Sequence, residues 1–474
     1  VDIYLTNSLS REKELFVPLD STRGKPVGLY TCGITAYDYA HIGHGRKYVT
    51  DDILKRVLTA NGYKVKHVQN VTDVGHLVSD ADEGDDKLEK GAAKAGKTVW
   101  EVAEFFTKNF YESMDKLNII RPDVICKATD NINEQIEMVE KLIEKGLAYD
   151  TPEAVYFDVA KFPKYGEAFG QKLSEKQVAV REEVKTGEYK RNPQDFALWF
   201  KRVGRFENHT MHWDSPWGDG FPGWHIECSA MSVKYLGEQF DIHTGGEDHI
   251  SIHHPNEIAQ SEGATGKSPF VKYWLHTAFL MVDGKKMSKS LANFYTVSDI
   301  VEKGFDPLAL RYLYLGANYR DPLNFTWESL QAAQNALNKL KSQISNHEHL
   351  GGVKSQSDRT VLSEEKEKKV EEYRNQFMES VNDDLNTAKG LAVLWEMLGS
   401  NIPSGDKYDL AMGFDEILGL NLSESRIKNQ EVPNNIKKLM EKREKLRKEK
   451  NFEEADKLRT QIEEAGYKVE DKTI

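Results

Sequence analysis

Val27-Gly28-Leu29-Tyr30-Thr31-Cys32 is a short apolar run closed by Gly33 and a loop, and it reads as a strand. A helical pattern follows from His44 to Asn61, and Tyr63–Val71 then alternates apolar and polar residues as a half-buried strand does. Strand, helix, strand at this spacing predicts a βαβ unit and a parallel sheet, so the fold class is α/β.

Outward from that unit the chain stays mixed for about two thirds of its length. Thr98–Leu117 and Ile132–Lys145 carry helical periodicity, and Ala154–Phe157 is a strand candidate. From there to Val203 the chain is polar and irregular and reads as an insertion. Aromatic, Gly and Pro residues crowd Trp213–Trp224, which marks a shaped loop. A second α/β block runs to Asn293, with strands expected at Phe240–His243 and Trp274–Val282 and helices after Trp224 and Pro255. The acidic stretch Asp80–Asp86 reads as a solvated loop. Beyond Pro307 helices are expected at Ala309–Leu315, Trp327–Ser345, Glu364–Val381 and Leu385–Leu398, with Val353–Ser357 as a polar linker. After Pro433, Ile436–Ala465 alternates Lys and Arg with Glu and predicts a charged helical hairpin turning at Asn451.

The 474 residues are a prior for about three domains. Hydrophobic residues make up 39% and charged residues 30%, which is too apolar for a disordered chain. No apolar run approaches the ~20 residues a spanning helix needs, and no charged start with an apolar stretch marks a signal peptide. A soluble, cytoplasmic chain with no membrane partner is expected. Three cysteines, Cys32, Cys126 and Cys228, exclude a disulfide scaffold and leave buried thiols or metal ligands. Cys126 reads as a small buried hydrophobe. A net charge of −12 argues against a general nucleic-acid coat, though a local basic patch is compatible with it.

Two motifs carry chemistry. In His41-Ile42-Gly43-His44, two histidines flank a glycine at the mouth of a helix, where unpaired N–H groups favour phosphate. Gly43 lets a flat base approach the backbone, and His41 and His44 can donate to phosphate oxygens as charge grows. In Lys286-Met287-Ser288-Lys289-Ser290, two lysines on a serine-rich loop follow a strand and an Asp283-Gly284 turn, a mobile cationic clamp for a triphosphate. Either alone is compatible with surface residues of no function. In this order, each behind a strand, they resemble the HIGH and KMSKS signatures of class I aminoacyl-tRNA synthetases. That resemblance implies a Rossmann-like catalytic domain.

Cys32, Cys228, His253 and Glu257 are a third group. His253 and Glu257 share a helix face at i and i+4, and two thiolates, an imidazole and a carboxylate suit Zn²⁺. From spacing alone, buried thiols plus an exposed His/Glu pair is the plainer reading. Ile34-Thr35-Ala36-Tyr37-Asp38, Asn70-Val71-Thr72-Asp73, Lys190-Arg191-Asn192-Pro193 with Asp195-Phe196, and Ser215-Pro216-Trp217-Gly218 through Cys228-Ser229-Ala230-Met231 resemble cysteinyl-tRNA synthetases over nearly the whole chain. The resemblance implies that Cys32, Cys228, His253 and Glu257 hold one catalytic-domain zinc, with Cys32 at the substrate. It also implies that Thr72 hydrogen-bonds the amino acid and that Trp224 walls the pocket. For Trp224 alone, core packing is an alternative. A metal suits this task because packing separates near-isosteres such as cysteine and serine by only about 10²-fold, whereas Zn²⁺ favours a thiolate.

Departures from the family pattern are His253-His254-Pro255-Asn256-Glu257, where many members have His-His-Glu-Asn-Glu, and a longer segment over 74–86. With Pro255 in a first turn, the helix is expected to start near His254. The chain ends at Ile474 without a Gly-Thr-x-Trp segment.

The resemblance divides the chain into a first catalytic half over 1–120, a connective insertion over 121–210 and a second catalytic half over 211–305. A stem-contact region and helical anticodon-binding bundle follow over 306–425, entered at Asp306-Pro307-Leu308-Ala309-Leu310-Arg311. A small charged anticodon-recognition domain occupies 426–474. The expected function is a cysteine–tRNA ligase. ATP is expected at His41, Gly43, His44, Lys286, Ser288 and Lys289; Mg²⁺ accompanies it, and L-cysteine and cysteine tRNA are the other partners of a monomer. Two alternatives are a cysteine-activating amino-sugar ligase of the mycothiol type, which lacks the full anticodon tail, and a non-catalytic tRNA-binding paralogue, against which the intact signatures argue.

Overall fold

A computed structural model describes residues 2–20, 24–75, 88–89, 92, 96–166, 168–170, 189–287, 291, 293–351, 364–423, 434–448 and 451–464. The expectations for Asp80–Asp86 and Val353–Ser357 fall outside the described residues. The chain forms two compact units.

The first unit comprises Val1–Asp115, Ile120–Phe279 and Tyr319–Pro322. It opens with an antiparallel pair, β1 (Tyr4–Asn7) and β2 (Glu12–Leu15). The βαβ unit follows as β3 (Val27–Thr35), α1 (Ile42–Ala60) and β4 (Val65–Thr72). Helix α2 (Val99–Lys116) precedes β5 (Val124–Lys127), and α3 (Ile132–Glu144) follows it. Four further strands follow: β6 (Ala148–Asp150), β7 (Ala154–Phe157), β8 (Phe196–Lys201) and β9 (Gly220–Pro222). Helix α4 (Trp224–Leu236), β10 (Phe240–Gly246), α5 (His253–Thr265) and β11 (Val271–Thr277) complete the unit.

The main sheet has order β11-β10-β3-β4-β5, and every neighbouring pair is parallel. After β3 the chain moves outward through β4 and β5; it later returns to the other side of β3 with β10 and β11. The order therefore reverses between β3 and β10. In open α/β sheets the crevice beyond the strand C-termini at such a reversal is where ligands bind. Cys32 lies near that end of β3, which is buried along most of its length.

Two expectations are corrected. The first strand does not end at Cys32: it continues through Gly33 to Thr35, with a bulge. Thr31 pairs with Gln69 and Ile34 with Val71, so Cys32 and Gly33 together oppose one residue, Asn70. A Cβ on Gly33 would stand 1.6 Å from the Asn70 carbonyl oxygen, which explains glycine there. Second, the segment up to Val203 is not irregular throughout, because Phe196–Lys201 forms the antiparallel sheet β6-β7-β8-β9 with its neighbours. Its polarity concealed a strand whose Trp199 is fully buried, and Phe157, Phe196 and Leu198 share a core with Ile226 of α4 and Ala259 of α5. The sheet thus braces the two helices that carry Cys228, His253 and Glu257.

The second unit comprises Lys116–Ile119, Leu280–Asn318 and Leu323–Ile474. Here β12 (Leu280–Val282) pairs antiparallel with β13 (Lys285–Lys286) and parallel with β14 (Leu323–Phe325). The strand expected over Trp274–Val282 is therefore two strands, β11 and β12, in separate sheets. Asp283 and Gly284 both have positive φ, 49° and 73°, as a tight hairpin turn requires. Helices follow as α6 (Val297–Glu302), α7 (Pro307–Leu315), α8 (Trp327–Gly351), α9 (Glu364–Asn382), α10 (Thr387–Gly399) and α11 (Ser404–Leu418). The last of these was not anticipated; its apolar positions are spaced by glycines and acids. Asp306 caps α7 with Pro307 at its first position. The fully buried Arg311 donates to the carbonyls of Leu117, Asn118 and Leu418, tying α7 to the end of α11. Finally α12 (Asn434–Lys448) and α13 (Phe452–Glu464) pack as the expected hairpin, with Asn451 between them.

Among the described residues, no helix is long and apolar enough to cross a membrane.

Candidate active site

His41 and His44 close on each other. The His44 backbone N–H donates to Nδ1 of His41 and the His41 N–H donates to Nδ1 of His44, each at 3.2 Å. This reciprocal cap starts α1 two residues before the expected position, and the rings stack 3.7 Å apart. Because each Nδ1 accepts, the proton of each neutral ring sits on Nε2. Burial lowers the His41 pKa to about 4 and, with His41 and Lys47 nearby, holds His44 well below the ordinary value. Both rings are neutral near pH 7. They can act as hydrogen-bond donors through Nε2 but not as cations.

Lys286 ends the hairpin in the second unit and is exposed. Ser288 and Lys289 lie outside the described residues.

Cys32, Cys228, His253 and Glu257 come together. One ligand atom from each lies within 4.8 Å of the others, and all four residues are buried. They arrive from three elements: Cys32 from the bulge in β3, Cys228 from α4, and His253 and Glu257 from one face of α5. Pro255 does not displace His253, because α5 starts at His253 and not after it. Pro255 falls in the first turn, where its missing N–H costs nothing. Nε2 of His253 is 3.1 Å from Oε1 of Glu257.

The electrostatics of this group are tightly coupled. Burial alone would push Glu257 up, but His243 and His253 outweigh it and hold the carboxyl well below its usual range. Burial likewise opposes charge on His253, yet Cys228 and Glu257 keep its pKa well above the ordinary value. Burial raises the Cys32 thiol, while a hydrogen bond from Cys32 lowers Cys228. Four buried groups thus share protons among soft and hard donors that a divalent cation could replace. The donor set fits zinc in chemistry and number: two thiols, an imidazole and a carboxylate, with ligand atoms within 4.8 Å of one another.

Sequence reasoning passed over the residues that orient this group. His243 donates from Nε2 to Oε2 of Glu257 at 2.9 Å, and Nδ1 of His225 is 2.8 Å from Nδ1 of His253. Such outer partners fix ring orientation and carboxylate geometry. Cys32, His243, His254 and Glu257 form a second, overlapping set. It has one thiol instead of two, and His254 is also engaged with His276 at 2.7 Å. The signal available was the density of histidines between His225 and His276, including His243 inside an apolar strand.

Thr72 ends β4. Its hydroxyl donates to Oε2 of the fully buried Glu227 at 2.8 Å and accepts from Asn70 Nδ2 at 3.2 Å. Trp224 is only half-buried, and its ring lies 5.9 Å from that of His253, so it is not simply core. Cys126 is buried in the apolar core, as expected.

The chain matches the family model for the tRNA synthetases class I (C) catalytic domain over residues 18–335. It matches the DALR domain over 376–400 and the cysteinyl-tRNA ligase anticodon binding domain over 429–473. A cysteine–tRNA ligase of Treponema denticola is 42% identical over 99% of this chain and 98% of its own length. This chain belongs to the cysteine–tRNA ligase family. Another member, cysteine–tRNA ligase 1 of Burkholderia lata, is 44% identical over 98% of this chain and 94% of the relative. In fold, the chain resembles Mycobacterium tuberculosis methionyl-tRNA synthetase, with TM-score 0.58, 15% identity and coverage of 85% and 91% of the two chains. It also resembles an Agrobacterium radiobacter LeuRS in a tRNA complex, with TM-score 0.62, 12% identity and 86% coverage of each. These structural likenesses place this member of the family among class I synthetase folds.

Proposed function

We propose that this chain is a cytoplasmic cysteine–tRNA ligase that acts as a monomer. The cysteine carboxylate attacks the α-phosphate of ATP, the bond to the β-phosphate oxygen breaks, and pyrophosphate leaves with Mg²⁺. A hydroxyl of the terminal ribose of cysteine tRNA then attacks the acyl carbon and displaces AMP. No side chain is a covalent nucleophile, so positioning and electrostatics carry the rate.

The residues take these parts. His41 and His44 donate from Nε2 to phosphate oxygens, and Gly43 leaves room for the adenine ring. Lys286 and Lys289 set positive charge against the phosphates, with Ser288 in the same loop. Thr72 hydrogen-bonds the amino acid, and Trp224 walls the pocket. Cys32, Cys228, His253 and Glu257 hold zinc. When bound there, zinc would act as a borderline-soft Lewis acid that takes a thiolate far more readily than a serine hydroxyl. The 1–120, 121–210, 211–305, 306–425 and 426–474 divisions serve catalysis, connection, catalysis, stem contact with anticodon binding, and anticodon recognition.

One observation supports this reading most: a buried thiol-bearing donor set beside the sheet's strand-order reversal, one member of which, Cys32, lies on the strand that leads into the histidine-capped helix. The test is cysteine-dependent ATP–pyrophosphate exchange, then charging of cysteine tRNA, with serine as control. Exchange and charging with cysteine alone are expected. Exchange without charging would favour an amino-sugar ligase, no exchange a tRNA-binding paralogue, and equal exchange with serine would sink the zinc-selection argument.

A further inference from the structure

At the bulge in β3, side chains hold two backbone groups. The Gly33 N–H donates to Asn70 Oδ1 at 2.7 Å. The Cys32 carbonyl accepts from Lys47 Nζ at 2.8 Å and from the Tyr48 hydroxyl at 3.2 Å. Pairing of β3 with β10 stops at Thr31, so no strand on that side holds Cys32 either. Lys47 and Tyr48 lie one helical turn beyond His44, on the same face of α1.

Lys47 is an unusual donor for this place. Its side chain is 10% exposed, its Nζ lies 2.8 Å from the carboxylate of Asp51, and that carboxylate is 3% exposed. A buried ion pair is a poor device for stability, because desolvation offsets most of the attraction. A neutral side chain could accept burial at lower cost. What the ammonium adds is a directed, charge-strengthened hydrogen bond to one carbonyl, and that carbonyl belongs to the residue whose thiol enters the donor cluster.

We infer that Lys47 is a positioning residue: by clamping the Cys32 carbonyl it fixes the bulged backbone and so aims the Cys32 thiol at Cys228, His253 and Glu257. The inference rests on Cys32 being a zinc ligand, as proposed above. It also makes α1 a common support, holding the two capped histidines at its start and the cysteine strand one turn later.

The test uses the full chain with zinc as probe. In a Lys47→Met/Asp51→Asn variant both charges leave together, so no lone buried charge remains. Zinc affinity, measured by competition with a chelator, is expected to fall about 10- to 100-fold, the usual cost of losing an outer partner. The KM for cysteine is expected to rise while the KM for ATP stays as in the parent. A merely structural role would lower the melting temperature and leave zinc affinity and both KM values unchanged, and that result overturns the inference. Tyr48→Phe, which keeps the ion pair, is expected to shift zinc affinity in the same direction by less. Should the double variant fail to fold, parent-like zinc affinity in Tyr48→Phe overturns the inference. If the parent chain itself binds no zinc, the reading of Cys32 as a ligand fails first, and separately.

Discussion

Histidines serve two neighbouring regions of the first unit and sit in opposite states. At the start of α1, His41 and His44 are held neutral by burial and cap their own helix. In the donor cluster, His253 is pushed towards its charged form by Cys228 and Glu257. The cap of the first arrangement is local: a four-residue turn supplies both of its hydrogen bonds. The second exists only when three elements from distant parts of the chain converge. A self-capped turn should survive damage elsewhere in the unit, whereas a converged cluster should fail as one.

The largest effect that could break this contrast is at Cys228. Cys228→Ala is expected to abolish stoichiometric zinc, measured by metal analysis. Cysteine-dependent pyrophosphate exchange should fall by more than the ~10–100-fold that an outer-partner loss costs. The His41–His44 turn should stay intact, with ATP binding close to that of the parent. Loss of ATP binding in that variant would show the two regions to be one.

Next in size is the loop lysine. Lys289→Ala is expected to cut adenylate formation by about 10²-fold or more, the cost of one transition-state donor, with zinc content unchanged. Near-normal exchange would refute its part. His44→Ala should resemble it in rate, but should also weaken the start of α1 by about 1 kcal/mol, because a cap is lost. Comparing the two variants by thermal melting separates chemistry from capping.

What the sequence made legible follows the same contrast. His41-Ile42-Gly43-His44 was readable because its residues are contiguous and its helix boundary is local. The parallel βαβ unit was readable from periodicity. Cys32, Cys228, His253 and Glu257 could be named through resemblance, but spacing alone did not join them, because a sheet order of β11-β10-β3-β4-β5 does the joining. His243 and Lys47 went unmarked for a related reason. Each sits in an ordinary strand or helix pattern, and its partner is 14 or 15 residues away in sequence. The β8 strand was hidden because its polar flanks dominate the local composition. Its apolar core faces α4 and α5, which no local pattern reveals.

Gly33→Ala probes the joint between the two regions. The added Cβ would meet the Asn70 carbonyl at 1.6 Å, so β3 or β4 must move. Overpacking of this kind costs about 1–3 kcal/mol. The displacement falls on Cys32 and Asn70, hence on zinc retention and on the Asn70–Thr72–Glu227 hydrogen bonds, and not on the capped turn. Chelator competition and thermal melting are expected to worsen together. A variant with lower stability and parent-like zinc affinity would uncouple the bulge from the cluster.

The smallest expected effect is on pH dependence, and it tests the neutral half of the contrast. Burial lowers His41 to about 4 and His67 to about 3, against an ordinary 6.5. The unfolded chain therefore binds more protons than the folded one as pH falls below about 6.5, and stability must drop through that window. The contribution of His41 is lost by about pH 4 and that of His67 by about pH 3. Asp73 opposes this, because burial raises it to about 6, so it takes up a proton more readily when folded. His253, raised by Cys228 and Glu257, opposes it as well, but His41 and His67, joined by His44, His249, His254 and His276, all lowered by burial, leave a net loss. The melting temperature should fall on going from pH 7 to pH 5, and His67→Gln should flatten that slope by removing one of the protons taken up. A melting temperature that rises on acidification would mean that Asp73 and His253 dominate and that the other buried histidines are not held neutral.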